Sequence, residues 1–180
     1  MNGSGSTAIS FLVRTLIDLY VTAVLIRLLL QWVRADFYNP VCQFLIRITN
    51  PLLLPLRRLV PSIGRIDTAS LALMLLLEIL GVWVVSRMGS MPLDFTGIVS
   101  FSFIKLIAML LTTYFFLIIA EVILSWVGGG VRHPAIPLVY QLTVPVLRPF
   151  QKLIPPIAGI DLSPLFALIA IRFLLLLIGW

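Results

Sequence analysis

The chain carries one stretch twice, and that repetition limits its architecture more than anything else. Asn39 to Asp67 reads NPVCQFLIRITNPLLLPLRRLVPSIGRID, and ninety-four positions later, without a gap, comes HPAIPLVYQLTVPVLRPFQKLIPPIAGID. Pro40, Pro51, Pro55 and Pro61 return as Pro134, Pro145, Pro149 and Pro155. Thr49, Leu53, Leu59, Ile63, Ile66 and Asp67 return as Thr143, Leu147, Leu153, Ile157, Ile160 and Asp161. The register extends outwards, since Tyr20, Trp32 and Val33 match Tyr114, Trp126 and Val127. This reads as an internal duplication, with a first copy over about 11–86 and a second over about 105–180.

A chain of 180 residues that is 61% hydrophobic and 11% charged exposes more apolar surface than one small domain can hide. The expectation is a single integral membrane domain over 1–180, with no appended soluble module. The net charge of +6 does not point to nucleic acid, because the arginines are dispersed among leucines and prolines beside apolar spans. Lipid headgroups are the expected partner. Cys42 is the only cysteine and reads as a small apolar residue on a surface helix. The start, MNGSGSTAIS, has neither a positive n-region nor an A-x-A site, so the first span is expected to be retained.

Four stretches are long and apolar enough to cross a core of about 30 Å. They are 8–33, Thr68 to Ser86, about Ile98 to Val127, and Leu162 to Trp180. Trp32 sits where an interface anchor belongs. Arg14 and Asp18 stand one turn apart and read as a pair near a helix end. The third span exceeds what the membrane needs, which predicts tilt or a protruding end. The glycines 128–130 predict a flexible exit from it, and Arg87 to Gly97, with Met91-Pro92, predicts a short turn.

The repeated stretch reads as an interfacial amphipathic helix rich in Pro and Arg. Leu52, Leu53, Leu56, Leu59 and Val60 fall on one helical face, while Arg57 and Arg58 point elsewhere. In the second copy Val146, Leu147, Phe150, Leu153 and Ile154 are apolar, and Arg148, Gln151 and Lys152 are polar. Pro51 and Pro145 suit a first helical turn, and Pro61 and Pro155 a stop. A connecting loop that merely turns the chain is the alternative. Asp67 and Asp161 each precede an apolar run, where a carboxylate caps the helix N-terminus.

Two spans per copy orient both copies the same way, so the expected fold is all-α: four transmembrane helices as two tandem parallel repeats. Arg34, Arg47, Arg57, Arg58, Arg65, Arg132, Arg148 and Lys152 lie on the side of the repeated stretches, against Arg14, Arg87 and Lys105 on the other. The positive-inside rule then places the repeated stretches in the cytoplasm and both termini outside.

The stretch NPLLLPLRRLVPSIGRIDTAS, returning as VPVLRPFQKLIPPIAGIDLSP, each copy preceded by Trp32 or Trp126, resembles the YggT (YlmG) family in its two-copy bacterial form. The second copy is the nearer match; Ser62, Arg65 and Ala69-Ser70 stand where it has Pro156, Gly159 and Ser163-Pro164. The resemblance implies a multi-pass protein of the bacterial inner membrane without assigned catalysis. It implies a link to osmotic stress tolerance, potassium uptake or cell-division and envelope physiology, with membrane or division-associated proteins as partners.

The residues themselves argue against an enzyme. No His/Cys/carboxylate cluster suggests a metal, no nucleophile has a base placed for it, and no cofactor motif appears. His133 aligns with Asn39, precedes Pro134 and reads as a helix-start residue. The informative residues are charges within the spans: Arg27, Glu78, Glu121 and Arg172. An ionisable group there costs a few kcal/mol unless paired or solvated, so the readings are a functional pathway or packing salt bridges. Laying the copies over each other puts Arg27 on Glu121 and Glu78 on Arg172 with signs exchanged, which predicts charge pairs between the copies or across a homo-oligomer. The leading expectation is a non-enzymatic membrane factor, and the alternative an ion channel or transporter component.

Overall fold

The computed structural model describes residues 3–62, 67–88, 93–127, 133–154 and 161–180, and every regular element in them is a helix. These are α1 (Gly3–Trp32), α2 (Pro40–Leu59), α3 (Thr68–Arg87), α4 (Phe95–Val127), α5 (Ala135–Leu153) and α6 (Ser163–Leu177). Residues 7–32 of α1, all of α3 and residues 95–126 of α4 are long and apolar enough to cross a membrane. At 1.5 Å per residue α4, with 33 residues, extends about 50 Å. Where the sequence predicts a fourth span, the described residues form α6, an apolar helix of 15 residues, about 22 Å long and shorter than a core of about 30 Å. Its end is a Schellman turn, with Gly179 at φ +79°, Trp180 N–H donating to Leu175 C=O at 2.9 Å and Gly179 N–H to Leu176 C=O at 3.1 Å. The expectations for Ile63, Arg65, Ile66, Met91-Pro92, the glycines 128–130, Arg132, Pro155, Pro156, Ile157, Gly159 and Ile160 lie outside the described residues.

The chain divides into two compact units, residues 1–28 with 45–107 and residues 29–44 with 108–180. In the first, Val21, Val24, Leu53, Ala69, Leu73 and Met74 are buried. Gly81 of α3 faces Ile17 of α1 so closely that an added Cβ would lie 3.1 Å from its Cδ1, which is why glycine is accommodated in mid-helix there. In the second unit α5 packs against α6, and α6 buries Ser163, Ala167, Ile171 and Leu175, one residue per turn along a single stripe. The outward faces stay apolar: Leu12, Leu16 and Leu19 on α1, Leu76 and Leu80 on α3, Phe116 on α4, Ile169 and Phe173 on α6 are exposed. Such a surface is at home in hydrocarbon and aggregates in water.

The Pro-rich stretches correct the sequence reading in one respect. Helix α2 begins at Pro40, not Pro51, and runs through Pro51 and Pro55; α5 likewise runs through Pro145 and Pro149. An interior proline removes the bond to the carbonyl four residues back and ordinarily costs about 3 kcal/mol. Here all four prolines are exposed, so the carbonyls they free lie on the outer side, where water or headgroups can satisfy them. On α2 the buried Cys42, Leu45, Thr49 and Leu53 form the opposite stripe, whereas on α5 the buried Leu138, Leu142, Thr143 and Leu147 are spread over two sides of the helix. Helix α2 ends at Leu59, two residues before Pro61.

Both stretches also start alike. Asn39 accepts the Val41 N–H through Oδ1 at 2.9 Å, and His133 accepts the Ala135 N–H through Nδ1 at 3.2 Å. His133 is thus a helix-start acceptor. Asn39 donates through Nδ2 to the Pro134 carbonyl at 2.6 Å, tying the start of α2 to the start of α5.

Candidate functional site

The polar groups of the first unit form two clusters. The deeper one centres on Lys105, whose side chain is only 4% exposed although it stands ten residues inside α4. Its Nζ lies 2.7 Å from Glu78 Oε2, at the middle of α3, and binds Asp18 Oδ1, at the middle of α1. Asp18 Oδ2 in turn lies 3.7 Å from Arg14 Nε. Two cations and two carboxylates therefore balance within the apolar part of three span helices. Glu78 is fully buried, and its Oε1 has no hydrogen-bond partner among the described residues. A cavity of about 20 Å³ adjoins the cluster, lined by Arg14, Asp18, Gly81, Val82, Val85, Phe101 and Lys105. The sequence reading assigned Lys105 to the outer rim and missed it as the partner of Glu78. The signal available was depth: a lysine ten residues into an apolar helix cannot reach water by snorkelling as easily as one at its end.

The second cluster joins α1, α2 and α3. Arg27 is buried and donates through Nη1 to Thr49 Oγ1, whose hydroxyl in turn donates to the Leu45 carbonyl at 2.6 Å. Asp67, 2% exposed, accepts from Arg57 Nη2, from the Ser70 hydroxyl at 2.7 Å and from the Ser70 N–H at 3.3 Å. The last bond is the N-cap of α3. Burial pushes the Asp67 carboxyl up, but the bonds from Arg57 and Ser70 outweigh it and hold the group below the usual carboxylate range.

In the second unit Asp161 accepts from the Ser163 N–H at 2.8 Å and from Gln151 Nε2 at 3.0 Å. The Ser163 bonds come first in holding it below the ordinary range, against a smaller opposing effect of burial. Glu121 stands beside Thr143, and its buried Oε2 has no hydrogen-bond partner among the described residues. Arg172 is exposed on α6. Of the four basic residues expected to face lipid or a partner, Arg58, Arg148 and Lys152 are exposed, while Arg57 is engaged with Asp67. Cys42 is buried; burial first, and then Asp36, pushes its thiol up. Among the described residues no group of three or more His, Cys, Asp or Glu is placed to hold a metal.

Comparison with known proteins agrees with the resemblance. A protein of Pseudomonas aeruginosa of uncharacterized function is 43% identical over 177 residues, covering 96% of this chain and 89% of its own length. An uncharacterized protein of Vibrio alginolyticus is 39% identical, covering 96% of this chain and 94% of its own length. The uncharacterized protein YggT of Escherichia coli K12 is 36% identical over 159 residues, covering 87% of this chain and 81% of its own length. No solved structure matches the chain. The family model CCB3/YggT matches residues 6–88 and again 91–180, and the chain belongs to that family.

Proposed function

We propose that the chain is a non-enzymatic multi-pass protein of the bacterial inner membrane that supports osmotic or envelope physiology, with α2 and α5 as its cytoplasmic docking surface for anionic lipid or a membrane or division-associated protein. The observation that carries this reading is the division of surface chemistry. The span helices present leucine and phenylalanine outward, while α2 buries one apolar stripe, α5 buries three leucines and a threonine, and the two expose Arg47, Arg58, Arg148 and Lys152. That is the pattern of helices lying in an interface. The double match of the family model supports reading the chain as two tandem copies. Two tests apply. With Cys42 replaced by serine, a cysteine at Ser4 should be labelled in intact cells and one at Ser62 spared; the reverse would overturn the orientation. Cells lacking the protein should recover poorly from hyperosmotic shock and be restored by the wild-type chain but not by one carrying Arg58→Glu, Arg148→Glu and Lys152→Glu. Unimpaired recovery of the deletion strain would overturn the physiological role.

A second reading, an ion channel or transporter component, draws on the Asp18–Lys105–Glu78 cluster, since charges at mid-span commonly mark ion pathways. Four spans make a narrow pathway, so this reading calls for a homo-oligomer. Ion flux in proteoliposomes of the purified chain that disappears with Glu78→Gln would replace the leading reading with this one.

A further inference from the structure

The second unit holds a groove of about 420 Å³ where the end of α1 meets one face of α5. Trp32 and Val33 form one wall; Tyr140, Gln141, Val144, Pro145 and Arg148 form the other. The α5 residues recur at the spacing of a single helical face, and Trp32 closes a membrane-crossing stretch, which sets the groove at headgroup depth.

Its chemistry is lopsided. Four of the lining side chains carry hydrogen-bond donors: the Arg148 guanidinium, the Gln141 amide, the Tyr140 hydroxyl and the Trp32 indole N–H. None makes a side-chain hydrogen bond or ion pair with another described residue, and Trp32 is 63% exposed. Val33, Val144 and Pro145 supply an apolar floor beside them. Pro145 adds an acceptor, because it has no N–H and so leaves the Gln141 carbonyl without its helical partner. Donors around one unpaired cation, an apolar strip and a free carbonyl match the three parts of a phospholipid head: a phosphodiester, the root of an acyl chain, and a hydroxyl that donates. At the corresponding positions of the first copy stand Ile46, Arg47 and Leu54, so the set of Tyr140, Gln141 and Arg148 occurs once.

We propose that this groove is a specific binding site for an anionic phospholipid with a hydroxyl-bearing headgroup, of the phosphatidylglycerol type. The proposal rests on reading the chain as membrane-spanning and deepens the general attraction of α5 to anionic lipid into one defined site. Arg148 and Gln141 hold the phosphodiester, and the Gln141 carbonyl takes the headgroup hydroxyl. The acyl chain leaves along Val144 and Val33 beside the Trp32 ring.

The test uses the full-length chain in phosphatidylcholine nanodiscs, with Trp83, Trp126 and Trp180 replaced by phenylalanine so that Trp32 alone fluoresces. Brominated phosphatidylglycerol or brominated phosphatidylcholine is added at the same low mole fraction. Apparent affinity from quenching should favour phosphatidylglycerol by about five-fold, and Arg148→Gln should remove the preference while leaving bulk quenching in place. A second chain retaining only Trp126 should show no preference. Equal quenching of Trp32 by both lipids, or a preference that survives Arg148→Gln, overturns the site. Displacement of phosphatidylglycerol by water-soluble glycerol phosphate overturns the lipid as its source. Failure of either lipid to quench any tryptophan would instead overturn the membrane-spanning reading.

Discussion

Gln151 donates to Asp161 across 3.0 Å, joining the end of α5 to the residue before α6. Ninety-four residues earlier, Arg57 makes the same connection to Asp67 between α2 and α3. One position is charged and the other neutral, yet each turns its donor back onto the carboxylate at the start of the next helix. What the geometry requires at position 57 is therefore a long donor, not a charge. Arg57→Gln keeps a donor to the buried Asp67, as Gln151 does for Asp161, and should cost less than about 1 kcal/mol. Asp67→Ala removes an N-cap and leaves Ser70 without its acceptor, and should cost about 1–2 kcal/mol. Thermal unfolding in detergent should rank the two variants in that order, and equal losses would contradict it.

The same carboxylate sets a pH dependence. The Asp67 pKa lies lower in the folded than in the unfolded chain, so its contribution is fully present above the unfolded value of about 4 and is lost as pH falls through the folded value. Asp161 shifts in the same direction but is exposed, so it adds little. The gap in unfolding temperature between wild type and Asp67→Asn should be open at neutral pH and close below about pH 4. A gap that stays constant with pH would remove Asp67 as its cause.

Hydropathy located α1, α3 and α4 because a membrane leaves a linear signal: some twenty apolar residues in a row. The cap at Asp67 was legible because a carboxylate before an apolar run acts on the chain that follows it; at α6 the cap position falls on Leu162, and Asp161 accepts the Ser163 N–H from one residue further out. Two things were hidden. The helical path through Pro51 and Pro55 depends on which side of α2 faces out, and the prolines are tolerated because they lie on the outer side. The partner of Glu78 depends on which helix packs against α3; Lys105 is twenty-seven residues away in sequence, and nothing local ties the two.

Lys105 holds together the buried carboxylate of Glu78 and the half-buried one of Asp18, and its removal leaves Glu78 charged in a dry site or forces it to take up a proton. Lys105→Met should destabilise by about 3–5 kcal/mol, and adding Glu78→Gln should recover part of the loss, because the uncompensated charge is gone. Accumulation in the membrane and unfolding in detergent measure both. A double variant no better than Lys105→Met would show that the ammonium matters for Asp18 and not for Glu78.

Arg27 and Glu121 occupy matching positions with opposite charge, and each stands by a matching threonine, Thr49 or Thr143. Their surroundings are not equivalent. Arg27 has Arg57 first and then Asp67 within electrostatic reach, whereas Glu121 has Asp161. Arg27→Glu replaces a buried donor to Thr49 with a carboxylate and should cost about 3–5 kcal/mol. Glu121→Arg does the reverse, placing a guanidinium between a threonine and an aspartate as the first copy already does, and should be tolerated. Local contacts alone predict that the double exchange is as unstable as Arg27→Glu. A charge pair between the copies predicts recovery towards wild type, because exchanging both partners keeps the pair. Unfolding of the two single variants and the double exchange in one detergent separates these cases.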